Sequence, residues 1–287
     1  MTRLAGVSRF FHRARKALGA RLAREAFEEL AAVRERIARL ETATEKLEAA
    51  LGDRPPPPLE AHAREVTYAL TLGVAAVYGV EVEGDVAEFG TMTGVSAVAL
   101  AEAMAACDRH LGYALDAAGL PPKALHLFDS FEGLPEVVTE VDAGAPHVRS
   151  GVWAPGTCVG LSRAQLEERA GAVFDPERIR TFEGWFKDTL VTIPDGTTYS
   201  LVHIDSDLYE SARDVLDYLF GHGMISEGAL IFFDDWNCNR GSPQFGERRA
   251  WEECVAKYAV RYSDEGGYGL FSHKFIVHGY QQGGRSS

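Results

Sequence analysis

The sequence predicts an α/β fold, a doubly wound and mostly parallel sheet preceded by an N-terminal helical coiled-coil segment. Three observations carry this. Short apolar runs alternate with helix-length segments after residue 59, the pattern of strands covered by helices on both faces. A heptad of apolar residues lies ahead of them. Between the two stand Pro55 to Pro58, which stop a helix because proline lacks the N–H and stiffens the chain. The reading divides the chain into a basic helix and coiled coil over 1–54, a proline linker over 55–58, a folded body over 59–280 and a flexible tail over 281–287.

In the first region, Leu30, Ile37, Thr44 and Leu51 fall seven apart, and Val33, Leu40 and Leu47 fill the alternate positions between Ala23 and Leu51. One narrow apolar seam on a helix predicts self-association, hence a homo-oligomer. The net charge is −13, yet residues 1–24 hold seven basic side chains (Arg3, Arg9, Arg13, Arg15, Lys16, Arg21, Arg24) and no acid. Such a head suits peripheral contact with an anionic membrane, and it is also arginine-rich in the manner of a transit peptide. The acidic body argues against nucleic-acid binding, which needs positive charge against phosphates. The best candidate for a membrane span, Tyr68 to Val80, has 13 residues, short of the ~18 required. No secretory signal is expected. Cys107, Cys158, Cys238 and Cys254 form no C-x-x-C pair, so reduced thiols in a cytoplasmic protein are expected.

Element by element, a helix is expected over Glu60 to Val80, then a buried strand Asp85 to Phe89, a glycine turn and a helix from Ser96 to Cys107. Ala124 to Phe128 is the second strand, ending at Asp129. Residues 131–160, rich in Gly, Pro and Val, read as a long loop or lid. Ser162 with Gln165 is a capping box for the next helix. Arg178 to Phe182, Ser200 to Ile204 and Ala229 to Phe233 are further strands, and Phe271 to His278 is the last. Helices follow Asp207 and cover Glu247 to Tyr258. Asp207 is placed to cap the helix that starts at Tyr209.

Ligands of such sheets bind beyond the carboxyl ends of the strands, so the residues just after each strand carry the chemistry. Glu88-Phe89-Gly90-Thr91-Met92-Thr93-Gly94 gives a turn whose glycines allow close backbone approach. It lacks the G-x-G-x-x-G spacing of a dinucleotide site, and its acid suits a ligand with cationic groups such as S-adenosylmethionine. Asp129 can accept two ribose hydroxyls. Gly184, Trp185 and Phe186 offer backbone and aromatic surface to an adenine ring, or else belong to the core. Asp205 and Asp207 end one strand, and Asp234 and Asp235 end its neighbour. Adjacent strands lie about 4.8 Å apart, so these carboxylates converge and repel one another. A hard divalent cation resolves the repulsion, and oxygen ligands favour Mg²⁺ or Ca²⁺ over zinc. His203, just before Asp205, reads as a core histidine, while His126 and His147 are further candidate bases.

These motifs together resemble the macrocin O-methyltransferase family. They are Val86 to Gly94, Asp129-Ser-Phe-Glu-Gly-Leu-Pro135, Gly184-Trp-Phe-Lys-Asp-Thr-Leu190, Asp205-Ser-Asp-Leu-Tyr-Glu-Ser211 and Phe233-Asp-Asp235. The resemblance implies a Rossmann-like methyltransferase sheet and a bacterial enzyme dependent on S-adenosylmethionine and Mg²⁺ that methylates hydroxyls, chiefly on sugars. It implies that Glu88 and Gly90 hold the methionine end of the cofactor, Asp129 the ribose, and Gly184 and Trp185 the adenine side; Phe89, Thr91, Gly94, Ser96 and Ser130 are further cofactor-binding candidates. Asp205, Asp234 and Asp235 would hold the metal. Either Asp205, ranked first, or Asp207 could be the catalytic base that takes the acceptor proton. Ser206 stands where the family has glycine. The expected partner is a small-molecule or glycan hydroxyl acceptor. Two other readings remain open at this point: a phenol or catechol O-methyltransferase, and a non-catalytic coiled-coil scaffold with a vestigial cofactor domain.

Overall fold

The structure is a computed structural model that describes residues 58–282. The basic head, the heptads, Pro55 to Pro57 and the last five residues lie outside the described residues. The described chain opens at Pro58, the first residue of a helix, where a missing N–H costs nothing. The elements are α1 (Pro58–Gly79), β1 (Asp85–Phe89), α2 (Val95–Ala118), β2 (Leu125–Asp129), α3 (Glu140–Gly144), α4 (Pro146–Arg149), α5 (Arg163–Gly171), β3 (Ile179–Glu183), α6 (Phe186–Thr189), β4 (Tyr199–Ile204), α7 (Tyr209–Gly221), β5 (Ile225–Phe233), α8 (Gly246–Tyr258), β6 (Arg261–Tyr268) and β7 (Ser272–Gly279).

One seven-stranded sheet runs in the order β3-β2-β1-β4-β5-β7-β6. The first five strands are parallel, and β7 and β6 add an antiparallel edge. β4 is buried along its whole length, as a strand covered on both faces must be. One apolar layer joins the sheet to α7 and α8 through Leu216, Phe220, Trp251 and Phe275. The other joins it to α1, α2 and α5 through Leu70, Val74, Leu100, Met104 and Leu166. The order of parallel strands reverses at β1 and β4, so their carboxyl ends border the crevice where ligands of such sheets bind.

Several sequence expectations need correcting. α2 does not end at Cys107 but runs to Ala118, where Gly119 adopts φ 73° and donates its N–H to Leu115 and Asp116 carbonyls, a glycine-capped end. β6 was not expected at all. Its sequence, RYSDEGGY, is mostly exposed and has no apolar alternation; pairing with β7 makes it a strand. The capping box at Ser162 and Gln165 is present as expected.

His126, a candidate base in the sequence, is fully buried in β2, with Nδ1 2.9 Å from the Tyr199 hydroxyl. Burial, with help from the Arg180 charge, pushes its pKa down to about 4, whereas an unfolded chain's imidazole ionises near 6.5. The folded state therefore resists a proton that the unfolded state accepts. The stability His126 confers is complete above pH ~6.5 and is lost as pH falls toward 4, by up to about 3 kcal/mol. Unfolding free energies measured across this window for wild type and His126→Leu check it. The wild type should show the steeper acid-side fall, and parallel curves would count against it.

Candidate active site

The site grows from two crossing backbone contacts. The Gly90 N–H donates to the Phe128 carbonyl at 2.9 Å, and the Asp205 N–H donates to the Phe89 carbonyl at 2.9 Å. The ends of β1, β2 and β4 are thereby pinned together. Gly90 has φ +93°, and a Cβ there would overlap the Asp205 carbonyl oxygen. Only glycine fits such a crossing, so the residue serves the strand ends themselves as well as any ligand.

A cavity of about 540 Å³ opens over these ends. It brings together Gly90, Asp129, Ser130, Gly184 and Trp185 with Asp205, Asp207, Asp234 and Asp235. Phe186 also lines it, edge-on to Phe89 with ring centroids 5.6 Å apart. Glu88, Phe89, Thr91, Gly94 and Ser96 do not reach the cavity wall. Phe89 stacks on Phe128 in the core, and Gly94 lies beneath Leu161 and Leu166. Glu88 is fully buried, its Oε1 2.9 Å from His203 Nδ1, a pairing that follows from Glu88 and His203 being register neighbours on β1 and β4.

Asp129 is held by its own loops. Its Oδ2 accepts the Thr91 N–H at 2.7 Å, the Thr91 hydroxyl at 2.8 Å and the Met92 N–H at 3.1 Å, and its Oδ1 accepts the Phe131 N–H at 2.7 Å. A diol entering here competes with those donors.

The four strand-end acids do converge, joined by a fifth, Glu247, from the first turn of α8. Burial first, then the charges of Asp234, Asp235, Asp207 and Glu247, hold the Asp205 pKa well above the carboxylate range. Burial and Asp235 do the same to Asp207, and burial and Asp234 push Asp235 up to about 6. Asp234 runs the other way: against the effect of burial, His62 and His203 hold it down. His62 Nε2 lies 3.8 Å from Asp234 Oδ2, an electrostatic contact longer than a hydrogen bond. Its Nδ1 accepts the Leu270 N–H at 3.0 Å, which leaves the ring proton on Nε2, facing the acid. Ser272 donates its hydroxyl to Asp234 Oδ1 at 3.1 Å, and the Cys238 thiol donates to Asp235 Oδ1 at 3.1 Å. Among the described residues no group of three or more His, Cys, Asp or Glu side chains is drawn into a metal-holding arrangement. The donor chemistry nonetheless fits a hard divalent cation: the set is all oxygen, and crowding of like charges adds to burial in raising the pKa of Asp205, Asp207 and Asp235.

Asp207 does not cap α7. It sits at φ 60°, and the N-terminal amides of α7 belong instead to Asp142, whose Oδ1 accepts the Tyr209 N–H at 2.8 Å and Oδ2 the Glu210 N–H at 3.1 Å. Asp142 comes from the segment expected as a long loop or lid, which carries the short helices α3 and α4. The lid closes at a neck, where the Leu134 N–H donates to the Thr157 carbonyl and the Gly156 N–H to the Leu134 carbonyl, each at 2.9 Å. His147 is a second anchor. Its Nδ1 accepts the Asn239 N–H at 2.9 Å while its ring packs on Trp153, and it is not among the residues that line the cavity. Glu247, Asp142 and His62 were not singled out by the sequence; each acts on a loop far away along the chain, and no local pattern marks it.

Comparison with known proteins places this architecture. The family model for macrocin O-methyltransferase (TylF) matches residues 12–256. The 8-demethyl-8-(2,3-dimethoxy-alpha-L-rhamnosyl)-tetracenomycin-C 4'-O-methyltransferase of Streptomyces olivaceus is 31% identical over 156 residues, 54% of this chain and 54% of its own length. Demethyldecarbamoylnovobiocin O-methyltransferase of Streptomyces niveus is 31% identical over 167 residues, 57% of this chain and 56% of its own. The chain thus spans about half the length of the curated relatives it matches. The solved structure of the O-methyltransferase NovP shares the fold with TM-score 0.56 and 24% identity, covering 75% of this chain and 78% of that one. That of CalS11, a calicheamicin methyltransferase, does so with TM-score 0.55 and 22% identity, covering 82% and 91%. With a match that spans most of its length, this chain belongs to the macrocin O-methyltransferase family.

Proposed function

We propose that the protein is an S-adenosylmethionine-dependent O-methyltransferase acting on a sugar hydroxyl of a glycoside, glycan or natural product. The observation that carries this is one cavity whose wall holds Gly90, Asp129 and Trp185 together with Asp205, Asp207, Asp234 and Asp235. A nucleoside-type cofactor fits against the first group, and an acceptor hydroxyl against the second. The names of the matched relatives, which are glycoside and antibiotic O-methyltransferases, support a sugar acceptor over a flat phenol.

The reaction is an in-line displacement: the acceptor oxygen forms a bond to the methyl carbon, and the carbon–sulfur bond breaks with its electron pair left on sulfur. The reacting atoms must be aligned at about 3 Å, so positioning supplies much of the rate. Asp205, Asp234 and Asp235 would hold Mg²⁺, which when bound orients the acceptor hydroxyls and lowers the pKa of the one that reacts. Asp207 is then free to take the proton. Trp185 and Phe186 shield one side of the cavity from water.

The sequence-based parts of the reading extend to assembly. The heptads between Ala23 and Leu51 support a homo-oligomer, and the basic head a peripheral membrane contact of a cytoplasmic protein. No described helix is long and apolar enough to cross a membrane.

Calorimetric titration of S-adenosylmethionine, with and without Mg²⁺, tests the core of the proposal. Micromolar binding is expected, weakened about ten-fold or more in Asp129→Ala, since a charged group that accepts hydrogen bonds contributes roughly 1.5–3 kcal/mol. Absence of binding under both conditions would overturn the methyltransferase reading.

A further inference from the structure

We propose that Glu247 is a positioning residue, whose carboxylate ties together the two loops that carry the site's acids and so fixes the separation of Asp205 and Asp207 from Asp234 and Asp235. Its Oε1 accepts the Ser206 N–H at 3.0 Å and its Oε2 accepts the Asp235 N–H at 2.9 Å. One of these amides lies between Asp205 and Asp207, and the other belongs to an acid of the facing loop. Glu247 itself is fully buried and is not part of the cavity wall.

Three further features fit this role. The helix start is built to approach the loop: Gly246 has φ +59°, and a Cβ there would come within 3.2 Å of Asn239 Nδ2 and 3.5 Å of the Asp207 carbonyl oxygen. The loop has no side-chain tether of its own at Ser206, whose buried hydroxyl finds no protein partner, so the backbone amide is its fixing point. The chemistry of the group also matters. A fifth carboxyl among four is electrostatically unfavourable, and the helix N-terminus offsets only part of that. A carboxylate, however, offers two acceptor oxygens side by side, one for each N–H. Glutamine would accept one and turn its NH₂ against the other.

The consequence for metal affinity rests on the O-methyltransferase reading, whereas the tie between the loops stands on geometry alone. The test therefore has separate readouts on the full chain. In wild type, the Ser206 and Asp235 amides should be the slowest to exchange in their loops by NMR; rapid exchange of either overturns the proposal without any variant. Glu247→Gln should speed exchange at both loops and weaken Mn²⁺ binding, read from the paramagnetic resonance of the free ion, by about ten- to a hundred-fold. Its S-adenosylmethionine affinity should match wild type, because the cofactor residues lie at the ends of β1, β2 and β3, whereas Glu247 holds the loops after β4 and β5. Wild-type exchange and wild-type Mn²⁺ affinity in Glu247→Gln would overturn the inference. So would an equal loss of cofactor binding, Mn²⁺ binding and thermal stability, which signals general unfolding. If wild type binds no Mn²⁺, the metal component of the proposed function fails, and the exchange data still decide the tie.

Discussion

Replacing Asp205 by Asn should remove turnover while raising thermal stability in the presence of a chelator. The two effects have one cause. Asp205 is buried among Asp234, Asp235, Asp207 and Glu247, each of which disfavours its charge. Without a cation the folded state carries that repulsion, and the unfolded chain does not. An isosteric amide removes one charge and leaves the shape. Relief of about 1 kcal/mol corresponds to a rise of roughly 2–4 °C in Tm for a domain of this size. Under the proposed function, the same change removes a group that would hold the metal and orient the acceptor. Losing one preorganised electrostatic group costs about 3–4 kcal/mol of transition-state stabilisation, and the rate should fall on the order of a thousand-fold. Wild-type turnover in Asp205→Asn would eliminate Asp205 from the mechanism. A lower Tm in chelator would show that the acids do not oppose folding.

Gly90→Ala should be the most damaging single-methyl change in the described chain. The added carbon would overlap the Asp205 carbonyl oxygen and stand 2.9 Å from its carbon, at a φ of +93° that alanine avoids. Neither partner can yield, because both are backbone at the ends of central strands, tied by the Gly90 to Phe128 and Asp205 to Phe89 hydrogen bonds. Strain and overpacking together place the cost above about 4 kcal/mol, a fall of roughly 8–16 °C in Tm, or failure to accumulate as folded protein. Gly112→Ala is the matched control. It lies inside α2 with nothing within 4 Å of the added carbon, so it should stabilise by about 0.5–1 kcal/mol. Thermal melts of the two variants side by side check both signs, and a Gly90→Ala protein that melts like wild type would refute the crossing.

The central strands are legible because burial on both faces leaves short apolar runs, as in the Ala-Leu-Ile-Phe-Phe that ends β5, and β1 spans Asp85–Phe89 in the structure as in the sequence reading. The convergence of Asp205 and Asp207 with Asp234 and Asp235 was legible too, since parallel neighbours must end side by side. What escaped was whatever depends on a distant partner. β6 takes its conformation from β7, not from its own polar residues. The cap of α7 was assigned to Asp207 because a local pattern can only propose nearby residues, whereas Asp142 reaches it across 67 positions. Glu247 looked like an ordinary acid in a helical first turn, and His62 like an ordinary polar residue on α1. Glu88 was read toward the ligand, although its register neighbour His203 already supplied a partner within the sheet.

The neck at Leu134, Gly156 and Thr157 has a consequence for how such a protein diversifies. Everything between those residues is a closed excursion whose two ends meet, so its contour length is decoupled from the spacing of the strands on either side. Pro135, Glu136 and Val138, which shape one wall of the cavity, sit inside that excursion, while the carboxylates sit outside it on the sheet. Insertions and exchanges there can therefore remodel the wall while leaving every strand pair in register, so long as Asp142 and His147 keep their two moorings. The molecule is in this sense a fixed frame carrying an interchangeable cassette, and under the proposed function new acceptors could be tried without refolding the frame.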